Sequence, residues 1–141
     1  MELNDLKFED IKVGDRYSFE KIIDEDMMRK FADMTGNYNP LHYDAEYANN
    51  SEFGGKITYG MLLASLFSTL FGMLCPGKPA LCLSHELYFK NPLMVGEKAI
   101  VSGEVVSKSS SIQVLEIKTI IKDTKEIVVV DGIARVKVRN D

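Results

Sequence analysis

At 141 residues, 27% charged and 45% hydrophobic, the chain has the make-up of an ordinary globular domain, which excludes disordered and fibrous classes. A domain of this length buries roughly two thirds of the surface its unfolded chain exposes, so one core is enough and residues 1–141 read as a single domain. The formal net charge is -4 and the lysines and arginines never form a run, which argues against nucleic acid as a partner.

The first residues, Met1 to Asp5, are acidic and lack a basic segment followed by an apolar one, so no signal peptide is expected. Cys75 and Cys82 are too few for a disulfide framework and, with seven methionines, suit a reducing, cytoplasmic setting; both read as buried thiols. Val13-Gly14-Asp15 is a turn signal before Tyr17 to Ile22, whose alternation predicts a strand at a sheet edge. Asp24 stands at an N-cap position, Glu25 and Asp26 favour the helix dipole, and Met27, Met28, Phe31, Ala32 and Met34 form an apolar stripe. Gly36 ends that helix by taking the left-handed conformation. Asn39-Pro40 then imposes extended or turn geometry, so His42 is carried on a stiff backbone. Asp44 caps a short helix that stops before the Gly54-Gly55 break, so its carboxylate is structural.

From Ile57 to Gly77 no residue is charged, and Met61 to Leu74 predicts a helix apolar on nearly every side, hence buried all round. Tyr59, Gly60, Ser65, Ser68, Thr69 and Gly72 dilute the run and no basic flank adjoins it, which argues against a membrane span. Four β-rich segments follow: Ala80 to Phe89, Lys98 to Ser107, Ile112 to Lys122 and Glu126 to Arg139. Their short links predict an antiparallel meander, giving an α+β domain with one long buried helix wrapped by about five strands. On the first of these segments, His85 shares the helix-facing side with Leu83, Leu87 and Phe89, while Glu86 points away.

Three motifs, Phe31 to His42, Ile57 to Leu62 and Leu87 to Glu97, stand in an order that resembles the MaoC-like, (R)-specific enoyl-CoA hydratases of the hotdog fold. The likeness runs from about Phe8 to Val138. It implies a homodimer or dimer-based oligomer whose sites lie where protomers meet. It further implies a coenzyme A thioester as substrate, no separate cofactor and no metal. The reaction implied is reversible addition of water to a trans-2-enoyl-CoA, yielding a 3-hydroxyacyl-CoA.

Carried over by position, the resemblance makes His42 the catalytic histidine and the Gly60 backbone N–H the donor that polarises the thioester carbonyl. Both roles fit the chemistry. Charge builds on the carbonyl oxygen as water adds, and donors at a helix N-terminus stabilise it; an imidazole can take the proton from the water. Asn39 shapes the loop through side-chain bonds to backbone, and Tyr59, Met61 and Leu62 border the substrate, with Leu63, Leu66 and Phe67 near the acyl tail.

The weightiest departure from the family pattern is Asn37, which stands where the hydratases carry an aspartate. An amide can orient water but exchanges no proton near neutral pH, and losing a positioned acid-base group costs ~10²- to 10⁴-fold in rate. Tyr59, where many relatives have a histidine, is a milder departure. The chain therefore reads as a slow hydratase, with a non-catalytic acyl-CoA-binding protein as the alternative and His85 as a secondary candidate for the missing proton-transfer group. A thioesterase is disfavoured, because no Asp or Glu occurs between Phe53 and His85 to activate water near the helix.

Overall fold

A computed structural model describes residues 1–141. Its single sheet is antiparallel and five-stranded, built from β1 (Arg16–Ile22), β2 (Ala80–Phe89), β3 (Lys98–Ser109), β4 (Val114–Lys122) and β5 (Val128–Val138). Four helices complete it: α1 (Glu25–Thr35), α2 (Pro40–Tyr43), α3 (Ala45–Asn49) and α4 (Gly60–Thr69). Beyond α4, Leu70–Leu74 continue as one wider turn, closed where Cys75 N–H donates to the Leu70 carbonyl five residues back.

Local sequence rules account for most of these boundaries. Asp24 accepts from Met27 N–H at 2.9 Å, and Gly36 ends α1 at φ 79°, a left-handed position glycine occupies without a Cβ clash. Asp44 caps α3 by accepting from Tyr47 N–H at 3.0 Å. Period-two burial along β3, β4 and β5 turns Val101, Val105, Leu115, Ile117, Ile121, Val130, Ala134 and Val136 inward against Leu63, Leu66, Phe67 and Leu70 of the helix. No helix is long and apolar enough to cross a membrane.

Several expectations need correction. The strand order is β1-β3-β4-β5-β2, so only β3, β4 and β5 form a meander; β2 crosses over to pair with β5, leaving both β1 and β2 at edges. The helix is not enclosed on every side: Met61 is 61% exposed, and Ser65 and Ser68 follow it on the same face at helical spacing. Met34, placed in the apolar stripe of α1, is 77% exposed, because Met28 and Ala32 already fill the contact with the core. Cys75 is buried, and burial pushes its thiol up to about 12, but Cys82 lies exposed on the edge strand. The register of β2 shifts between Cys82 and Ser84, so Leu83 leaves the alternation and faces outward while His85, Leu87 and Phe89 keep their side.

Candidate active site

The site grows from the segment after α1. Asn39 caps α2 by accepting from Leu41 N–H at 3.0 Å, and Pro40 occupies the first turn, where a missing N–H costs nothing. His42 therefore sits on a single helical turn and not on an extended loop. Its Nδ1 lies 2.8 Å from the Ile57 carbonyl oxygen. A carbonyl can only accept, so Nδ1 carries the proton and the neutral ring keeps a lone pair on Nε2. Tyr59 stacks against the imidazole at 4.3 Å between centroids and against Phe31 at 4.8 Å, fixing the ring plane. The Tyr59 hydroxyl donates to the Asn37 carbonyl, and burial raises this phenol above its ordinary value, so it remains a neutral donor.

The segment before α4 is tied on its other side to the Leu93–Val95 turn. Ile57 bridges Met94, Thr58 N–H donates to Leu93 O at 2.8 Å, and Val95 N–H donates to Lys56 O at 3.1 Å. The three sequence motifs thus converge on one cleft of about 300 Å³, lined by His42, Ile57, Thr58, Gly60, Leu63, Phe89, Leu93, Val129 and Val130 among others. Lys90 and Asn91 also border it. Gly60 begins α4, where the N–H groups of the first turn have no intrahelical acceptor. A Cβ at Gly60 would come within 2.9 Å of the Phe89 ring, so glycine is what lets this strand and this helix end close on each other.

An apolar cleft with one fixed imidazole and one helix N-terminus suits addition of water to a polarised double bond. The sequence profile of the MaoC like domain matches residues 9–129 of the chain. The chain belongs to the MaoC-like family. The (R)-specific enoyl-CoA hydratase of Aeromonas caviae is 35% identical over 102 residues, which is 72% of this chain and 76% of that protein. A mitochondrial 3-hydroxyacyl-acyl-carrier-protein dehydratase of Solanum lycopersicum is 34% identical over 126 residues, 86% of this chain and 74% of its own. The unliganded R-hydratase of Pseudomonas aeruginosa superposes with a TM-score of 0.94 at 27% identity, covering 99% of this chain and 89% of that one. The fold is the hotdog arrangement of these hydratases.

Of the residues singled out from sequence, this MaoC-like chain brings His42, Gly60 and Leu63 to one cleft and leaves Asn37, Asn39, Tyr59, Met61, Leu62, Leu66, Phe67 and His85 outside its wall. Asn37 is exposed, and its side-chain oxygen accepts from Asn39 N–H at 3.1 Å. Asn39 is spent on capping α2, and Tyr59 on holding the loop. Met61 faces outward and Leu62 faces the core; Leu63, three residues after Gly60 and so on its side of the helix, takes the lining position. His85 packs against Phe67 and Phe71 and makes a 2.8 Å bond to Thr119, away from the cleft. Burial holds its imidazole below the usual histidine range, favouring the neutral form. Sequence reasoning passed over Thr58 and Lys90, although both stand in the motifs it quoted.

Proposed function

We propose that this chain is an (R)-specific enoyl-CoA hydratase, adding water to a trans-2-enoyl-CoA thioester and reversibly dehydrating the 3-hydroxyacyl product. The observation that carries the reading is the pairing of a tautomer-fixed His42 with the Gly60 helix start in one apolar cleft. In the proposed reaction His42 Nε2 takes a proton from water as the oxygen adds to C3. Negative charge moves onto the thioester oxygen, where the Gly60 N–H meets it, and the imidazolium returns a proton to C2. No electrons change hands, so the reaction needs no redox cofactor.

The cleft volume, at the small end for ligand sites, favours a short acyl chain. Lys90 at its border takes part in no ion pair and suits the phosphates of the coenzyme. The working form in this reading is a cytoplasmic homodimer. The open edge of β2, with Leu81, Tyr88 and Phe89 exposed, and the bare Met61 face of α4 support a subunit contact.

Loss of enoyl absorbance with crotonyl-CoA tests the proposal, the wild type turning over slowly and sedimenting as a dimer. Binding of crotonyl-CoA without turnover would instead select an acyl-CoA-binding role, which the engagement of the Asn37 amide within its own loop favours.

A further inference from the structure

Phe89 ends β2 opposite Val130 of β5, and paired residues of an antiparallel sheet share a face, so both side chains stand on the side of α4. Val130 is fully buried, whereas Phe89, on the edge strand, is 52% exposed. The edge of its ring rests on the start of α4: the three atoms nearest to a Cβ built on Gly60 all belong to Phe89, two of them at 2.9 Å. The backbone that follows is fixed, because Lys90 N–H donates to the Val129 carbonyl at 2.8 Å and the Asn91 side chain to the Val128 carbonyl at 2.7 Å. Phe89, Gly60 and Val130 all line the cleft.

A thioester whose oxygen meets the Gly60 N–H has its carbonyl carbon one bond from that oxygen, which brings the carbonyl's two other neighbours, sulfur and C2, close to the ring that covers Gly60. Sulfur carries the same coenzyme arm in every such substrate. Only at C2 does bulk vary from one acyl group to the next. We infer that Phe89 is a specificity-determining residue: its ring is a steric wall that admits acyl groups unbranched at C2 and rejects those with a methyl there. This rests on the hydratase reading, which puts the thioester oxygen at Gly60.

Butyryl-CoA and isobutyryl-CoA are isomers that differ only in whether a methyl sits on C3 or on C2, and neither can be hydrated. Their calorimetric affinities therefore isolate shape from reactivity. The wild type is expected to bind butyryl-CoA ~10- to 200-fold more tightly, the range that one ill-fitting methyl commands in a close pocket. Phe89→Ala should bring the isomers within about 3-fold of each other by gaining affinity for isobutyryl-CoA, with Phe89→Leu between it and the wild type. In turnover, the wild-type preference in kcat/KM for crotonyl-CoA over its 2-methyl analogue should shrink about 10-fold or more in Phe89→Ala. Equal affinity of the wild type for the two isomers overturns the inference, while hydration of crotonyl-CoA by the same protein leaves the hydratase reading standing. So does an unchanged isomer preference in Phe89→Ala and Phe89→Leu accompanied by altered sedimentation or equal loss for both ligands, since the ring would then serve a subunit contact. Failure of the wild type to bind either isomer overturns the hydratase reading and this inference with it.

Discussion

The chain has two histidines, and each has a threonine in its neighbourhood, but the two settings use them in opposite ways. At the sheet, His85 spends its ring on Phe67 and Phe71 and its Nε2 on Thr119, a fully buried hydroxyl that is thereby satisfied. At the cleft, His42 is anchored through Nδ1 to backbone alone, its Nε2 is left over, and the buried hydroxyl of Thr58 is unpaired. Where polar groups hold the fold together, they close on each other. Where one is left over on the wall of a cleft, as His42 Nε2 is, a ligand is the natural partner.

The strongest way to break this contrast is to remove each ring. His42→Ala should lower kcat for crotonyl-CoA by ~10²- to 10⁴-fold with little change in Tm, as expected for loss of a positioned base. The same change at His85 should do the reverse. His85→Ala orphans the Thr119 hydroxyl and removes packing against two phenyl rings, which should cost about 2–3 kcal/mol in urea unfolding while kcat stays within a few fold. Equal losses of activity from both variants would merge the two settings into one site.

The cleft side sharpens further at position 37. Asn37→Asp keeps an oxygen to accept from Asn39 N–H and adds an acid-base group, so kcat should rise about 10-fold in a stopped crotonyl-CoA assay. No gain would mean that the loop keeps residue 37 too far from the reacting oxygen.

The smallest effect lies on the sheet side and is read by pH. Burial lowers the pKa of His85 in the folded state relative to its ordinary value of 6.5. The unfolded chain therefore binds a proton that the folded chain resists. Stability is complete above that value and declines as pH falls through it toward the lower folded value. Thermal melts between pH 8 and pH 5 should show a steeper decline for the wild type than for His85→Gln, whose amide can still bond Thr119. Parallel declines would remove His85 as a pH-sensitive element.

Much of this was legible in the sequence because it depended on neighbours along the chain. Asp24, Gly36 and Asp44 obey capping rules that act over four residues, and strand alternation marks β3, β4 and β5 without tertiary information. Pairing order is different in kind. Nothing local states that β2 joins β5, or that a bulge at Leu83 turns that residue outward. The outward face of α4 escaped for the same reason, since Met61 reads as apolar whether or not anything covers it. His42 and Gly60 could be found as members of motifs. That the Thr58 hydroxyl is buried without a partner could not be read, because a missing partner exists only in three dimensions.

The Tyr59 hydroxyl bond to the Asn37 carbonyl has a mechanical consequence. With the His42 bond to Ile57, it closes a ring that runs from Asn37 through α2 to the imidazole, across to Ile57 and back through Tyr59. A displacement of the base must stretch this ring at one of its two hydrogen bonds, and the ring includes Tyr59, the residue joined directly to the Gly60 that starts α4. The imidazole and the helix end therefore move as a single body, and the distance a thioester must span is set by the length of a closed circuit, not by the stiffness of either arm.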